Sequence, residues 1–345
     1  NSGSIDSDDA LLCPPDEVGL DEKIEALLTL EANLHKKDLV KNVPYNGYQE
    51  QQAEHRLFTS SGLSARSKDG SSLLYAYALL DDGTNNSMQG SGQASRVFKH
   101  LNPSTLVDTV YENSFGILAG KPVKTGHFDV IFSEECQPEV FGVFSAMFSG
   151  KSAKDGINPM RDKVGEVMAD PRLNISDQPL LSEGLAYQLF DAEGSLTATT
   201  PLIVDGCLQT LIHNSASASY YGLKTTAHAS RSPKSSLGVA LQQLTIAAGE
   251  TSESSLRAGE YLELVDLSGT HSGANTLSGD FSFGASGYLC RDGKRIQAVR
   301  GITVAGNFYQ MLLKIAAIGD TQFWNWERSA LMPAIRFADV AIAGE

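Results

Sequence analysis

Apolar residues along this chain change their period several times, and each change predicts an element. Over 20–37, Leu20, Ile24, Leu27, Leu28 and Leu34 recur at helical spacing, with acids early and Lys36-Lys37 late, as the helix dipole favours. From Tyr45 to about Phe98 the pattern shortens to strand-like alternation, clearest over 54–60 and 73–80. Lys68-Asp69-Gly70 and Asp81-Asp82-Gly83 punctuate it as turns. Asn102-Pro103 opens a second helix, with Asn as cap and Pro in the first turn, and Gly120 closes it.

The second half reads as strands with shorter helices. Residues 128–132 form a buried strand, and a helix follows to about Ser149, with Val140, Phe141, Phe144 and Phe148 inward and Gly150 as its stop. Residues 201–212 predict a hairpin about Asp205-Gly206, and 288–303 another about Asp292-Gly293. Residues 261–265 form a strand. A last helix over 307–318 carries Phe308, Met311, Leu312, Ile315 and Ile318 and stops at Gly319. Helices and strands are segregated rather than alternating, so the expected class is α+β, mostly antiparallel sheets with a few flanking helices. Residues 1–19 read as a linker or tail, 20–125 as a central α/β region and 126–345 as a C-terminal β-rich domain, with the best boundary at residues 121–126.

Composition narrows the function. The 345 residues are 41% hydrophobic and 20% charged, which suits globular domains. A formal net charge of -14 repels phosphates, so direct nucleic-acid binding is not expected. No apolar run reaches the length of a membrane helix, and the N-terminus lacks a signal-peptide layout. The first residue is not Met, so the chain reads as a fragment or a processed form. Cys13, Cys136, Cys207 and Cys290 lie far apart without a C-x-x-C pair, which fits free thiols in a reducing compartment and a cytoplasmic location.

Candidate chemistry is sparse. No His is followed by Glu, so H-E-x-x-H is absent, and the closest histidines, His213 and His228, are fifteen positions apart. Glu134-Glu135 and Asp191-x-Glu193 could hold a hard cation or act as an acid–base pair. They read more simply as an acidic helix start and a turn. Gly90-Ser-Gly92 lacks the third glycine of a dinucleotide fingerprint. Residues 268–287 carry five glycines, at 269, 273, 279, 284 and 287, with Phe281 and Phe283 alternating between them. Ser278, Gly279, Asp280, Phe281, Ser282, Phe283 and Gly284 could wall a groove for an extended peptide. They could equally be a long loop feeding a strand.

These pieces, taken in order, resemble the TldD/PmbA family, described as modulators of DNA gyrase. The matching residues are Phe190-Asp191-Ala192-Glu193-Gly194-Ser195-Leu196-Thr197 and Leu202-Ile203-Val204-Asp205-Gly206-Cys207-Leu208. Ser278 to Tyr288, Gly301 to Phe308, Ile318-Gly319-Asp320, Pro333 and Ala343-Gly344 complete the match. It covers about 126–345, and more loosely the chain from about 20. The resemblance implies a TldD/PmbA-like fold and two kinds of subunit that pair. TldD-like members carry H-E-x-x-x-H and a late Cys, bind zinc and cleave unfolded peptides, whereas PmbA-like or TldE members lack those ligands. The corresponding segment here, Ser133-Glu134-Glu135-Cys136-Gln137-Pro138-Glu139, has no His, and 319–333 has no Cys. This carry-over gives no catalytic and no metal residue in this chain, and places zinc in a TldD-like partner. The expected role is a non-catalytic PmbA-like subunit of a heteromeric metallopeptidase, as a heterodimer or a self-associated homodimer, with unfolded peptide as substrate and no membrane contact. Family members usually have a further N-terminal α/β region before the part that Leu20 begins, so the resemblance reads this chain either as incomplete or as a shortened variant with a different pairing surface. Two other readings stay open: a regulatory binding protein acting on a gyrase or toxin–antitoxin system, and an independent hydrolase using Asp191, Glu193 or His271.

Overall fold

Alternation in one long strand organises the N-terminal part: Leu74, Ala76, Ala78 and Leu80 are all buried, while the residues between them are half-buried or exposed. The computed structural model describes residues 2–345. It divides into two units, Ser2–Lys121 with Trp326–Ser329, and Pro122–Asn325 with Ala330–Glu345.

The first unit runs β1 (Gly3–Asp6), α1 (Asp9–Leu12), α2 (Leu20–His35), β2 (Val40–Phe58), β3 (Leu63–Asp81), β4 (Asn86–Ser95) and α3 (Pro103–Leu118). Strand β3 pairs antiparallel with β2 and β4 and parallel with β1. The buried face of β3 packs with Leu30 and Leu34 of α2 and Leu106, Val107 and Val110 of α3. The Asn102 side chain caps α3 by accepting from the Thr105 N–H at 3.1 Å, as its sequence predicts.

Three expectations change in this unit. The expected linker over 1–19 holds β1 and α1, because β1 finds a ladder on β3 and Leu12 is buried. Lys68-Asp69-Gly70 is not a turn; it lies inside β3, with Gly70 opposite Gln52. The glycine there answers a close approach, since a Cβ would sit 3.2 Å from Cys13 Sγ. Finally, α2 turns a different face inward from the one its leucines suggested. Lys23 is buried because its ammonium pairs with Asp16 (2.9 Å) and Glu50 (2.6 Å), leaving Leu20, Ile24 and Leu28 exposed.

The second unit contains β5 (Gly126–Phe132), α4 (Cys136–Val143), α5 (Gly150–Lys154), β6 (Ile175–Asp177), β7 (Thr200–Val204), β8 (Cys207–Leu208) and α6 (Ser215–Tyr220). It continues through β9 (Ala229–Ser230), β10 (Gly238–Val239), β11 (Leu244–Ile246), α7 (Glu253–Leu256), β12 (Glu260–Ser268), β13 (Asp280–Arg291), β14 (Lys294–Asn307), α8 (Phe308–Met311), β15 (Ile315–Trp324) and β16 (Ala330–Ala343). Strands β14, β13, β12, β5 and β16 pair in that order, and β16 pairs back onto β14, so these strands close a ring. Walking once round a ring must restore the starting direction, so the number of antiparallel steps must be even. A five-membered ring therefore needs at least one parallel pair, and β12–β5 supplies it. β16 also pairs with β15 and, in parallel, with β11, which leads out to β6, β7 and β8. Phe132, Phe144, Phe283, Phe308 and Phe337 are buried here, with Phe144 stacked on Phe308 at 4.5 Å.

Both predicted hairpin turns form: Asp205-Gly206 and Asp292-Gly293 have positive φ at both residues, the geometry a two-residue turn needs. Two helix readings are corrected. The helix expected to reach Ser149 ends at Val143, followed by a 3₁₀ turn, Ser145–Phe148. Gly150 then opens α5 rather than stopping a helix, because the His213 ring lies where a Cβ would be. The helix expected over 307–318 stops at Met311. Ile315 and Ile318 pair instead with Phe337 and Ile335 of β16, so a spacing that suited a helix belongs to a turn followed by a buried strand.

Candidate functional site

The segment between β5 and α4 is where the family resemblance places its chemistry. The Ser133 N–H donates to the Leu264 carbonyl (2.9 Å), and Ser133 Oγ accepts from the Cys136 N–H (3.2 Å), which fixes the entry into α4. Cys136 is buried, and burial pushes its thiol up to about 12. Gln137, 2% exposed, points at β16. There β11 pairs as far as Leu331 and β5 begins at Arg336, leaving a gap in the ladder. Gln137 fills it: its Nε2 donates to the Pro333 carbonyl (2.9 Å), and its Oε1 accepts from the Ile335 N–H (3.2 Å). One carboxamide thus stands in for a stretch of strand. Glu139 Oε1 accepts from the Thr270 hydroxyl at 2.7 Å, tying α4 to the glycine-rich segment.

A TldD-like member of the family would hold a zinc ion from this helix, and the residues present here do not fit one. Zinc takes thiolate, neutral imidazole or carboxylate donors, as a converging set of three or four. Here residues 133–139 contain no imidazole, both polar atoms of Gln137 are engaged by backbone, Glu139 Oε1 takes the Thr270 hydroxyl, and Cys136 is enclosed in the core.

Within the glycine-rich segment, residues 269–279 form a loop that folds back on β13. Ser282 N–H donates to the Gly273 carbonyl (2.7 Å) and Asn275 N–H to the Asp280 carbonyl (2.8 Å), while β14 pairs with 280–285 on the other side. Phe281 and Phe283 are in the core. Gly279, at φ +86°, would place a Cβ 2.5 Å from the Tyr309 ring. The backbone of 280–283 is thus bonded along both edges. Ser278, Asp280 and Ser282 remain exposed. Asn307 Nδ2 donates to Asp280 Oδ1 (2.8 Å), and this bond, with Ser278, holds the Asp280 carboxyl below the usual carboxylate range.

Asp191 and Glu193 form a turn. The buried Asp191 carboxylate accepts from the N–H groups of Glu193 (3.0 Å), Ser195 (2.9 Å) and Ala229 (3.1 Å). Burial raises its pKa against these bonds. Glu193 Oε2 accepts from the Ser215 N–H at 2.7 Å. Both carboxylates therefore hold down the strap that runs from His213 to Ser230. A buried polar cluster that sequence reasoning missed secures the same strap. His228 Nε2 meets Asp177 Oδ2 at 2.9 Å, with both side chains at 1% exposure or less, and Asp177 Oδ1 accepts from the N–H groups of Gln242 and Gln243. His228 Nδ1 lies 2.9 Å from Thr226 Oγ1, which also accepts from the His213 N–H at 2.6 Å. Burial, with nearby His228, lowers the His213 pKa. No spacing in the sequence announces Asp177, which is 51 positions from His228. His271 is exposed in the 269–279 loop.

Residues 125–344 match the model of the PmbA/TldA metallopeptidase C-terminal domain, and residues 13–114 that of its central domain. The metalloprotease PmbA of Escherichia coli O157:H7 is 31% identical over 205 residues, covering 59% of this chain and 43% of that protein. A metalloprotease PmbA homolog of Haemophilus influenzae is 29% identical over 232 residues, covering 67% and 46%. The chain thus spans less than half the length of these two relatives. Among solved structures, a Thermotoga maritima protein described as a modulator of a DNA gyrase superposes with a TM-score of 0.87 at 24% identity, covering 95% of this chain and 75% of that one. TldE from Thermococcus kodakarensis gives 0.79 at 21% identity, covering 98% and 75%. At these identities the two structures speak for the fold. No helix among the described residues is long and apolar enough to cross a membrane.

Proposed function

The chain belongs to the PmbA/TldD metallopeptidase family, and from that premise we propose that it is a non-catalytic, PmbA-like subunit of a heteromeric peptidase acting on unfolded peptides. The observation that carries this reading is the employment of α4. Where a zinc subunit would present ligands, Gln137 completes the β16 ladder, Glu139 anchors the 269–279 loop, and Cys136 is sealed as a neutral thiol.

In this reading the zinc sits in a TldD-like partner, both work in the cytoplasm, and this chain contributes wall and support. Of residues 278–284, Ser278, Asp280 and Ser282 are exposed and could face a peptide. Because the backbone of 280–283 is already paired, they would act through side chains rather than by adding a strand. The net charge of -14 argues against a direct nucleic-acid role.

The test is metal analysis and a peptidase assay on the purified chain, with and without a subunit that carries H-E-x-x-x-H on the same scaffold. The expected result is no stoichiometric zinc and no cleavage alone, and chelator-sensitive cleavage on mixing. Chelator-sensitive cleavage by the isolated chain would overturn the reading.

A further inference from the structure

The second unit holds a cavity of about 940 Å³ between α7 and the turn that joins β13 to β14. Arg257, Lys294 and Arg295 line it together with Glu253, Glu263 and Asp292. Its walls are tied to each other. Gly293 N–H donates to the Arg257 carbonyl (3.0 Å), and Gly259 N–H donates to Asp292 Oδ1 (2.7 Å).

Glu263 organises the charges inside. Its side chain is 12% exposed, and each oxygen holds a different guanidinium: Oε1 accepts from Arg257 Nη1 (2.8 Å) and Oε2 from Arg295 Nε (3.0 Å). Arg295 is fixed further by stacking on Tyr288, its Cζ 3.9 Å from the ring centroid. Arg257 spends Nε on Glu253 and shares Nη1 with the Tyr261 hydroxyl. Among the described residues, no protein acceptor meets Arg257 Nη2, either terminal nitrogen of Arg295, or Lys294 Nζ. One guanidinium would suffice to neutralise a half-buried carboxylate. Two, held on the same carboxylate with terminal donors to spare, make a fork that grips a second carboxylate.

The acids beside this fork set the class of ligand. A bare anion such as phosphate is repelled by a chain of net charge -14. Burial, with Glu253 and Glu263, holds the nearby Glu134 carboxyl above the usual carboxylate range against Arg257, so this corner also lacks a cation. A ligand that answers both needs is a zwitterion. Glu253 and Arg257 touch, so its two charges must be adjacent, as they are on a single α-carbon and are not in a longer peptide. We propose that the cavity binds a free α-amino acid, its carboxylate on Arg257, Lys294 and Arg295 and its ammonium toward Glu253. This goes beyond the subunit reading above and stands without it, because binding is read on the chain alone.

The experiment is isothermal titration of the purified chain with each of the common protein amino acids and with inorganic phosphate. At least one amino acid is expected to bind with a Kd below about 1 mM. Its carboxamide and its N-acetyl derivative, each lacking one of the two charges, should bind at least about tenfold more weakly. Arg295→Gln should weaken binding by about tenfold or more, since charge-assisted bonds carry the grip. Lys294→Gln breaks no bond within the protein, so it should weaken binding about threefold with the thermal midpoint unchanged, which separates lost binding from lost folding. A chain that binds no amino acid below about 10 mM overturns the proposal. So does phosphate binding tighter than any amino acid, or amino-acid binding that neither variant changes.

Discussion

Replacing Gln137 with Leu removes the one side chain that completes the β16 ladder while keeping its size nearly constant. The Pro333 carbonyl and the Ile335 N–H would then be buried without partners. Each such group costs about 1–3 kcal/mol, so two give roughly 2–6 kcal/mol. Leu in a site already 2% exposed offsets about 1 kcal/mol by apolar burial, leaving a net loss of about 1–5 kcal/mol. Hydrogen exchange read at the Ile335 amide, together with urea unfolding, measures it. The amide should lose protection in Gln137→Leu more than amides in β12 do. Gln137→Glu supplies an internal control with a definite sign. A carboxylate still accepts from Ile335 N–H but faces the Pro333 carbonyl without a proton, so its folded pKa is raised above the unfolded value. Stability should then increase as pH falls through that raised pKa, when the protonated acid regains the missing donor. If both variants stay within about 0.5 kcal/mol of wild type and Ile335 exchanges as before, Gln137 is a passenger and the account of α4 fails.

Other consequences are open to simpler assays. Gly287→Ala should fail to give a folded C-terminal unit on a denaturation curve, because the new Cβ would stand 1.9 Å from the Glu263 carbonyl oxygen, which a paired strand cannot move. His213 has a folded pKa below its ordinary value of 6.5, so the unfolded chain takes the proton first; its contribution is intact above pH 6.5 and is lost as pH falls below it. Thermal midpoints of His213→Gln should therefore fall less steeply with acid than those of wild type. Cys136, held protonated by burial, should resist a thiol reagent at pH 8 in the native chain, while the half-buried Cys13 and Cys207 react; labelling followed by mass spectrometry distinguishes them. Asp191→Ala should free the 213–230 strap, seen as proteolysis within it, at a cost of about 1–3 kcal/mol for the buried Ala229 N–H left unpaired, the Glu193 and Ser195 N–H groups being only part-buried.

The architecture was legible wherever local chemistry decided it. Asp205-Gly206 and Asp292-Gly293 require positive φ, and Asn102-Pro103 caps a helix, so these features appear in the sequence as they appear in the fold. What failed depended on distant partners. Lys23 is buried because of Asp16 and Glu50, and Gly70 is flexible by composition but fixed by Cys13. Ile315 and Ile318 belong to a strand because β16 offers a ladder 17 or more positions away, which periodicity cannot see. The site shows the same division. The missing His of residues 133–139 could be read directly, whereas Gln137 matters through a gap between two ladders some 200 positions downstream.

The closed ring of the second unit also constrains how the chain acquires its shape. β5 emerges from the ribosome early, yet its antiparallel neighbour is β16, and Gly126 pairs with Ile342. Its parallel neighbour, β12, lies more than 120 positions on. Between those moments β5 waits with both edges exposed, and contacts of such sequence separation make for slow folding and a long window for aggregation. A nascent chain halted before β16 would hold an open sheet with two edges ready to pair with neighbours. β16 is therefore the latch of the unit, the strand whose arrival pairs β5 and β14 at once.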